Sequence, residues 1–189
     1  MSQEEEILAS ELAKAREDER FFSNAAKPER ELWVAKEFLA TLKVSYSDAE
    51  LSVTPQYSDA DVLFRDARFQ IKEIPEPELR RSTELRSYRL RAESATCLED
   101  LVEPAEARDI ILSNAYQLIL DCASTTKYAP AVKASLDLLC YVTRTYSGLG
   151  TEEEKRQLEN KGWRSISCLY GSRALLLFAA ANAPAFLKC

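Results

Sequence analysis

Apolar positions recur at three- and four-residue steps through the first forty residues, shift to steps of two over the next thirty, and then return to longer periods. Leu8, Leu12, Ala15 and Phe22 fall close to one stripe, so residues 3–22 read as a helix. Ser2 and Glu5 have the spacing of a capping box, and Glu4, Glu5 and Glu6 suit the positive end of a helix dipole. A second helix is predicted from Pro28, a favoured first-turn residue, to Lys43, with Leu32, Ala35, Phe38, Leu39 and Leu42 as its apolar set. Then "ELSVTPQY", "ADVLFRD" and "RFQIKEI" read as three short strands rich in β-branched and aromatic residues. The last two are close enough to form a hairpin through Arg65-Asp66-Ala67, and "IPEPEL" closes the section with two prolines.

Beyond it lie a basic stretch over 77–95 and a predicted helix beginning near Pro104 that carries Ile110, Ile111, Leu118 and Cys122. A further helical pattern spans 129–146, with Val132, Leu138, Leu139, Val142 and Tyr146. Gly148 and Gly150 break the chain, and "TEEEKRQLEN" opens a short helix with Thr151 as cap and Glu154 three residues on. Residues 163–169 and 173–179 read as strands around a Gly-Ser turn, although a buried helix also fits "RALLLFAAA". The expected architecture is one α/β domain over 1–189. Its order is helix, three-stranded meander, helices and a further strand or strands, with an extra N-terminal helix and a helical C-terminal half.

Composition narrows the chemistry. The 189 residues suit one sizeable core, and no apolar run approaches the ~20 residues of a membrane span. "MSQEEEILAS" is acidic and amphipathic, unlike a signal or transit peptide, so the cytoplasm is the expected compartment. Five scattered cysteines without a Cys-x-x-Cys pair argue against a disulfide framework and a zinc site. There is no histidine, which removes Ser-His and Cys-His nucleophile pairs and His-ligated metal or haem sites. "YSGLGT" lacks the spacing and the Lys-Ser/Thr of a nucleotide-binding loop. Acid–base work would fall to carboxylates, Lys, Tyr or metal-bound water.

Strand alternation gives the hairpin a candidate site. Gln70 and Lys72 share one face of their strand, while Phe69, Ile71 and Glu73 take the other, and an adjacent strand can bring Asp61 alongside. An acid, a carbonyl oxygen and an ammonium group would then converge. Phosphodiester hydrolysis by a hard cation needs oxygen ligands and a nearby positive group. The same alternation also describes a half-buried edge pair with one wet face.

"D(61)-VLF" followed by "F-Q(70)-I-K(72)" resembles the PD-(D/E)XK nuclease superfamily over residues 28–95, with Ala60 before the acid. The whole chain resembles a small bacterial family described as endonucleases of that superfamily. The resemblance implies a restriction-endonuclease-like core, with Asp61 as the metal-binding acid and Lys72 as the lysine that positions water. It also implies Mg²⁺ or Mn²⁺ held by Asp61, Gln70 and the Ile71 backbone carbonyl. Gln70 replaces the usual acid and contributes no charge, which lowers the expected affinity. The superfamily often adds a glutamate from the first helix. Glu31 lies on the inward stripe with Ala35, Phe38 and Leu42, whereas Glu37 sits about 120° away. Asp59 and Glu73 remain as alternative ligands.

The net charge of −6 does not announce a nucleic-acid binder, yet "RRSTELRSYRLR" holds Arg80, Arg81, Arg86, Arg89 and Arg91 against one glutamate. These arginines are candidate phosphate contacts, or a solvated helix face paired with nearby glutamates. The expected function is a divalent-metal-dependent nuclease acting on DNA rather than RNA, with no membrane partner. The alternative is a catalytically silent relative that binds nucleic acid or protein. Dimerisation through the N-terminal helix is a further alternative.

Overall fold

The computed structural model describes residues 2–75, 81–102, 113–143 and 147–188. The chain divides into two compact units, residues 1–30 with 77–109, and residues 31–76 with 110–189. Arg80, Pro104, Ile110, Ile111 and Tyr146 lie outside the described residues, and of Arg81 only the backbone is described. Among the described residues no helix is long and apolar enough to cross a membrane.

The first unit is built on two helices, α1 (Gln3–Phe21) and α3 (Arg81–Ser94). The basic stretch is therefore helical. Ser2 and Glu5 form the expected capping box, with hydrogen bonds of 2.7 and 3.2 Å. Ala15 and Ala92 are the buried positions, small enough to let the two helix backbones approach. Around them the charges are paired. Arg16 meets Glu93 at 3.0 Å, Arg89 meets Glu93 at 2.5 Å and also Glu19, and the Tyr88 hydroxyl donates to Glu11 at 2.8 Å.

The second unit holds a six-stranded sheet in the order β1-β2-β3-β5-β7-β8. Its strands are β1 (Leu51–Val53), β2 (Val62–Phe64), β3 (Ala67–Ile74), β5 (Asp137–Val142), β7 (Ser165–Tyr170) and β8 (Arg173–Ala179). A small parallel pair, β4 (Ser113–Asn114) with β6 (Ser147–Gly148), stands apart from it. β1, β2 and β3 form the antiparallel meander, β3, β5 and β7 run parallel, and β8 returns antiparallel. The final hairpin is the expected pair of strands rather than a buried helix.

Helices cover the two faces. α2 (Lys27–Thr41) packs Val34, Ala35, Phe38 and Leu39 with Phe69, Ile71 and Leu139. α4 (Ala115–Ala123) packs Ile119, Leu120 and Ala123 with Leu138, Cys140 and Ile166 on the other side. Two short helices, α5 (Pro130–Lys133) and α6 (Glu152–Gln157), complete the set. α6 begins with the expected Thr151–Glu154 capping box.

Three expectations are corrected here. The helix predicted over 129–146 is a single turn, α5, followed by the central strand β5. "DLLCYV" is apolar without alternation because a parallel strand between two helical layers is buried on both faces. The C-terminal half is accordingly rich in strand. The helix expected from near Pro104 instead begins at Ala115: Ser113 and Asn114 form strand β4, and Asn114 caps α4, its side chain accepting the Gln117 N–H at 3.2 Å. Gly150, at φ 106°, passes so near the Asn114 and Glu154 side chains that a Cβ there would displace them.

A candidate site at the meander hairpin

The hairpin pairs Val62 with Phe69, Leu63 with Arg68 and Phe64 with Ala67. Its turn places Arg65 at φ 51°, where few side chains settle. Arg65 is held there by Glu50 at 2.7 Å, by the Ser45 carbonyl at 2.9 Å, and by stacking of its guanidinium 4.8 Å from the Phe64 ring centroid.

β2 begins at Val62, and Asp61 just before it continues along the edge of β3. Its N–H donates to the Phe69 carbonyl at 2.8 Å, and its carboxylate accepts the Ile71 N–H at 2.8 Å. The same carboxylate oxygen accepts from the Gln70 side-chain amide. Gln70 Oε1 in turn accepts the Tyr128 hydroxyl at 2.6 Å. Asp61, Gln70 and Tyr128 thus form one hydrogen-bonded chain, with Gln70 only 3% exposed.

Lys72 is half-buried, two residues along the strand, and register sets it beside Cys140 of β5. Gln70, beside Leu138, belongs to the same face, the one that α4 covers. Asp61 bonded to Gln70, and Gln70 and Lys72 on one face, are the parts of the expected arrangement seen in the hairpin. Ile71 turns its side chain into the opposite layer, while its N–H and C=O point toward the edge where Asp61 sits.

Glu31 is buried, as its stripe predicts, but that stripe of α2 packs on the Phe69–Ile71 face. Gln70 and Lys72 project to the other face, opposite the apolar stripe that Glu31 continues. Helix geometry identified the inward side of α2; it could not say which sheet face that side would cover. Among the described residues no group of three or more Cys, Asp or Glu is placed to hold a metal ion.

The arginine run is partly paired within its own unit where it is described. Arg89 is held by Glu19 and Glu93, whose hydrogen bonds raise its already high pKa. Arg91 is half-buried with its guanidinium 5.8 Å from the Tyr88 ring centroid, and Arg86 is exposed. Five arginines on an isolated segment look like a basic patch; partners from α1 neutralise part of it.

Two residues that matter escaped the sequence reading. The first is Tyr128. A buried tyrosine must still place its hydroxyl on a partner, and this one reaches Gln70 while its ring packs edge-on to Trp163 at 5.7 Å. Asp137 opens β5 as Asp61 precedes β2, an acid ahead of an apolar run, and it is fully buried. Removing the Tyr128 hydroxyl strands a buried amide oxygen. Tyr128→Phe should therefore lower stability by about 1–3 kcal/mol in urea denaturation, with little change in the far-UV spectrum.

No curated protein matches the chain. A solved structure of a protein of unknown function, PA4535 from Pseudomonas aeruginosa strain PAO1, ascribed to the monooxygenase superfamily, aligns with a TM-score of 0.58 at 23% identity. The alignment covers 98% of this chain and 91% of that one, and it shows a shared fold. Over residues 3–189 the chain belongs to the family described as "Putative endonuclease, protein of unknown function (DUF1780)".

Proposed function

We propose that the chain is a divalent-metal-dependent nuclease of the PD-(D/E)XK type, hydrolysing DNA phosphodiester bonds at the meander hairpin. The observation that carries the reading is the bond between Asp61 and Gln70 at the strand edge where the Ile71 carbonyl also points, with Lys72 two residues along on the Gln70 face. The family description and the order of helix, antiparallel meander, helix and parallel strand support it.

The donor set suits a weakly held hard cation. Mg²⁺ is commonly bound by one or two carboxylates with water and substrate phosphate completing the shell, and Asp61 is one such carboxylate. Gln70 presents its amide nitrogen to Asp61 and its oxygen to Tyr128. The Tyr128 hydroxyl accepts as readily as it donates, so the amide can exchange its two ends without losing that partner. A bound divalent ion would neutralise phosphate charge and acidify water. Asp61 and the Gln70 and Ile71 oxygens would hold it, and the Lys72 ammonium would orient the attacking water and meet the charge that develops on the phosphate.

A specific observation favours a second reading, a catalytically silent relative that binds nucleic acid or protein. Both polar ends of the buried Gln70 are satisfied within the chain, so the site is complete without an ion. A Mn²⁺ titration separates the two. The nuclease reading expects millimolar binding that Asp61→Ala removes and Lys72→Ala leaves in place. Binding unaffected by Asp61→Ala, or none at all, favours the silent relative.

A further inference from the structure

Next to the candidate site, a second set of reactive side chains shares the sheet face under α4. Register sets Lys72 of β3, Cys140 of β5 and Cys168 of β7 side by side. The last turn of α4 packs Cys122 against the core cluster that holds Cys140 and Cys168. Cys122 is half-buried, while Cys140 and Cys168 are fully buried. One of Cys122 and Cys140 can thus be reached from solvent and the other cannot.

The protons divide the same way. The hydrogen bond with Cys140 draws the Cys122 thiol down to about 7, and the Lys72 ammonium adds to this against the opposing effect of burial. That same hydrogen bond, together with burial, pushes Cys140 well above the ordinary thiol range. Burial pushes Cys168 up to about 12. The accessible sulfur is thus the more acidic of the two and its hidden neighbour the less acidic, which is the disposition of an attacking and a resolving cysteine.

We propose that Cys122 and Cys140 form an oxidant-reactive dithiol, in which Cys122 attacks a hydroperoxide and Cys140 resolves the product as a disulfide. The Cys122 thiolate forms a bond to one peroxide oxygen, the O–O bond breaks, and hydroxide leaves and takes up a proton. Cys122 is then a sulfenic acid. The Cys140 sulfur displaces its hydroxyl, which departs as water with the Cys140 proton. In sum, two thiols and one hydrogen peroxide give one disulfide and two waters. The dithiol is oxidised by two electrons and the peroxide is reduced. The proposal does not rest on the nuclease reading; Lys72 enters it only as a neighbouring charge.

Peptide mapping of the full chain tests it. Reduced protein is exposed to hydrogen peroxide at pH 7, quenched by alkylation and digested with and without reductant. Cys122 should lose its free thiol at least about tenfold faster than Cys97, which is also half-buried, and a Cys122–Cys140 cross-linked peptide should accumulate. In Cys140→Ser, dimedone should trap a sulfenic acid on Cys122 and the cross-link should be lost. Oxidation of Cys97 as fast as Cys122 would overturn the proposal. So would a Cys122 that stays reduced, or one that pairs with a different cysteine. The wild-type map alone decides the matter if the variant does not fold.

Discussion

Replacing Asp137 with alanine should cost the protein about 3–5 kcal/mol of stability. Asp137 is fully buried at the start of β5, where register places it between Phe69 of β3 and Ser165 of β7. Its carboxylate accepts the Arg68 N–H at 2.9 Å, Arg164 Nε at 3.0 Å with a second bond from the same guanidinium, and the Ser165 hydroxyl at 2.8 Å. Arg164 extends the tie to the hairpin turn through the Asp66 carbonyl at 2.9 Å. One side chain thus joins the leading ends of three adjacent strands. Truncation leaves a mostly buried guanidinium without its counter-charge and two further donors unmet. Asp137→Asn keeps the shape and loses the charge, so it should fall between wild type and alanine in urea denaturation. A loss under 1 kcal/mol for the alanine variant would show that the carboxylate is not the tie described here.

The second large effect is expected from Gln70→Glu. In the absence of metal, the new carboxylate faces Asp61 across the position where the amide donated a hydrogen bond. Loss of that charge-assisted bond and the like-charge contact should cost about 2–3 kcal/mol at neutral pH. A shared proton relieves the repulsion, so the folded pair titrates above the ordinary carboxylate range. A group raised on folding contributes its stability below the unfolded pKa and loses it as pH rises. The deficit relative to wild type should therefore grow from acid to neutral pH. Mn²⁺ should reverse it, since a ligand at 100 times its dissociation constant returns about 2.7 kcal/mol. A variant that is destabilised and stays so at saturating Mn²⁺ would mean that two acids at this edge do not make a cation site.

Much of this was legible in the sequence because it depends on near neighbours. Capping at Ser2 and Thr151, the inward stripe of α2 and the alternation that puts Gln70 and Lys72 together are set within a few residues. What escaped depends on distant ones. "DLLCYV" carries no period once both faces are buried, so a strand and a helix look alike. Tyr128 meets Gln70 across 58 residues, and Arg89 meets Glu19 across 70. Glu31 illustrates the same limit within one helix: its burial was readable, the layer it joins was not.

Cleavage of supercoiled plasmid in the presence of Mn²⁺ is the most direct test of the assignment of Asp61, Gln70 and Lys72 to phosphodiester hydrolysis. Wild-type protein should nick the plasmid only with the divalent ion present. Asp61→Ala and Lys72→Ala should each reduce the rate at least about 100-fold, the order expected when a group that stabilises transition-state charge is removed. Equal cleavage by all three proteins, or none from wild type across Mg²⁺ and Mn²⁺ concentrations that saturate Gln70→Glu, would contradict it.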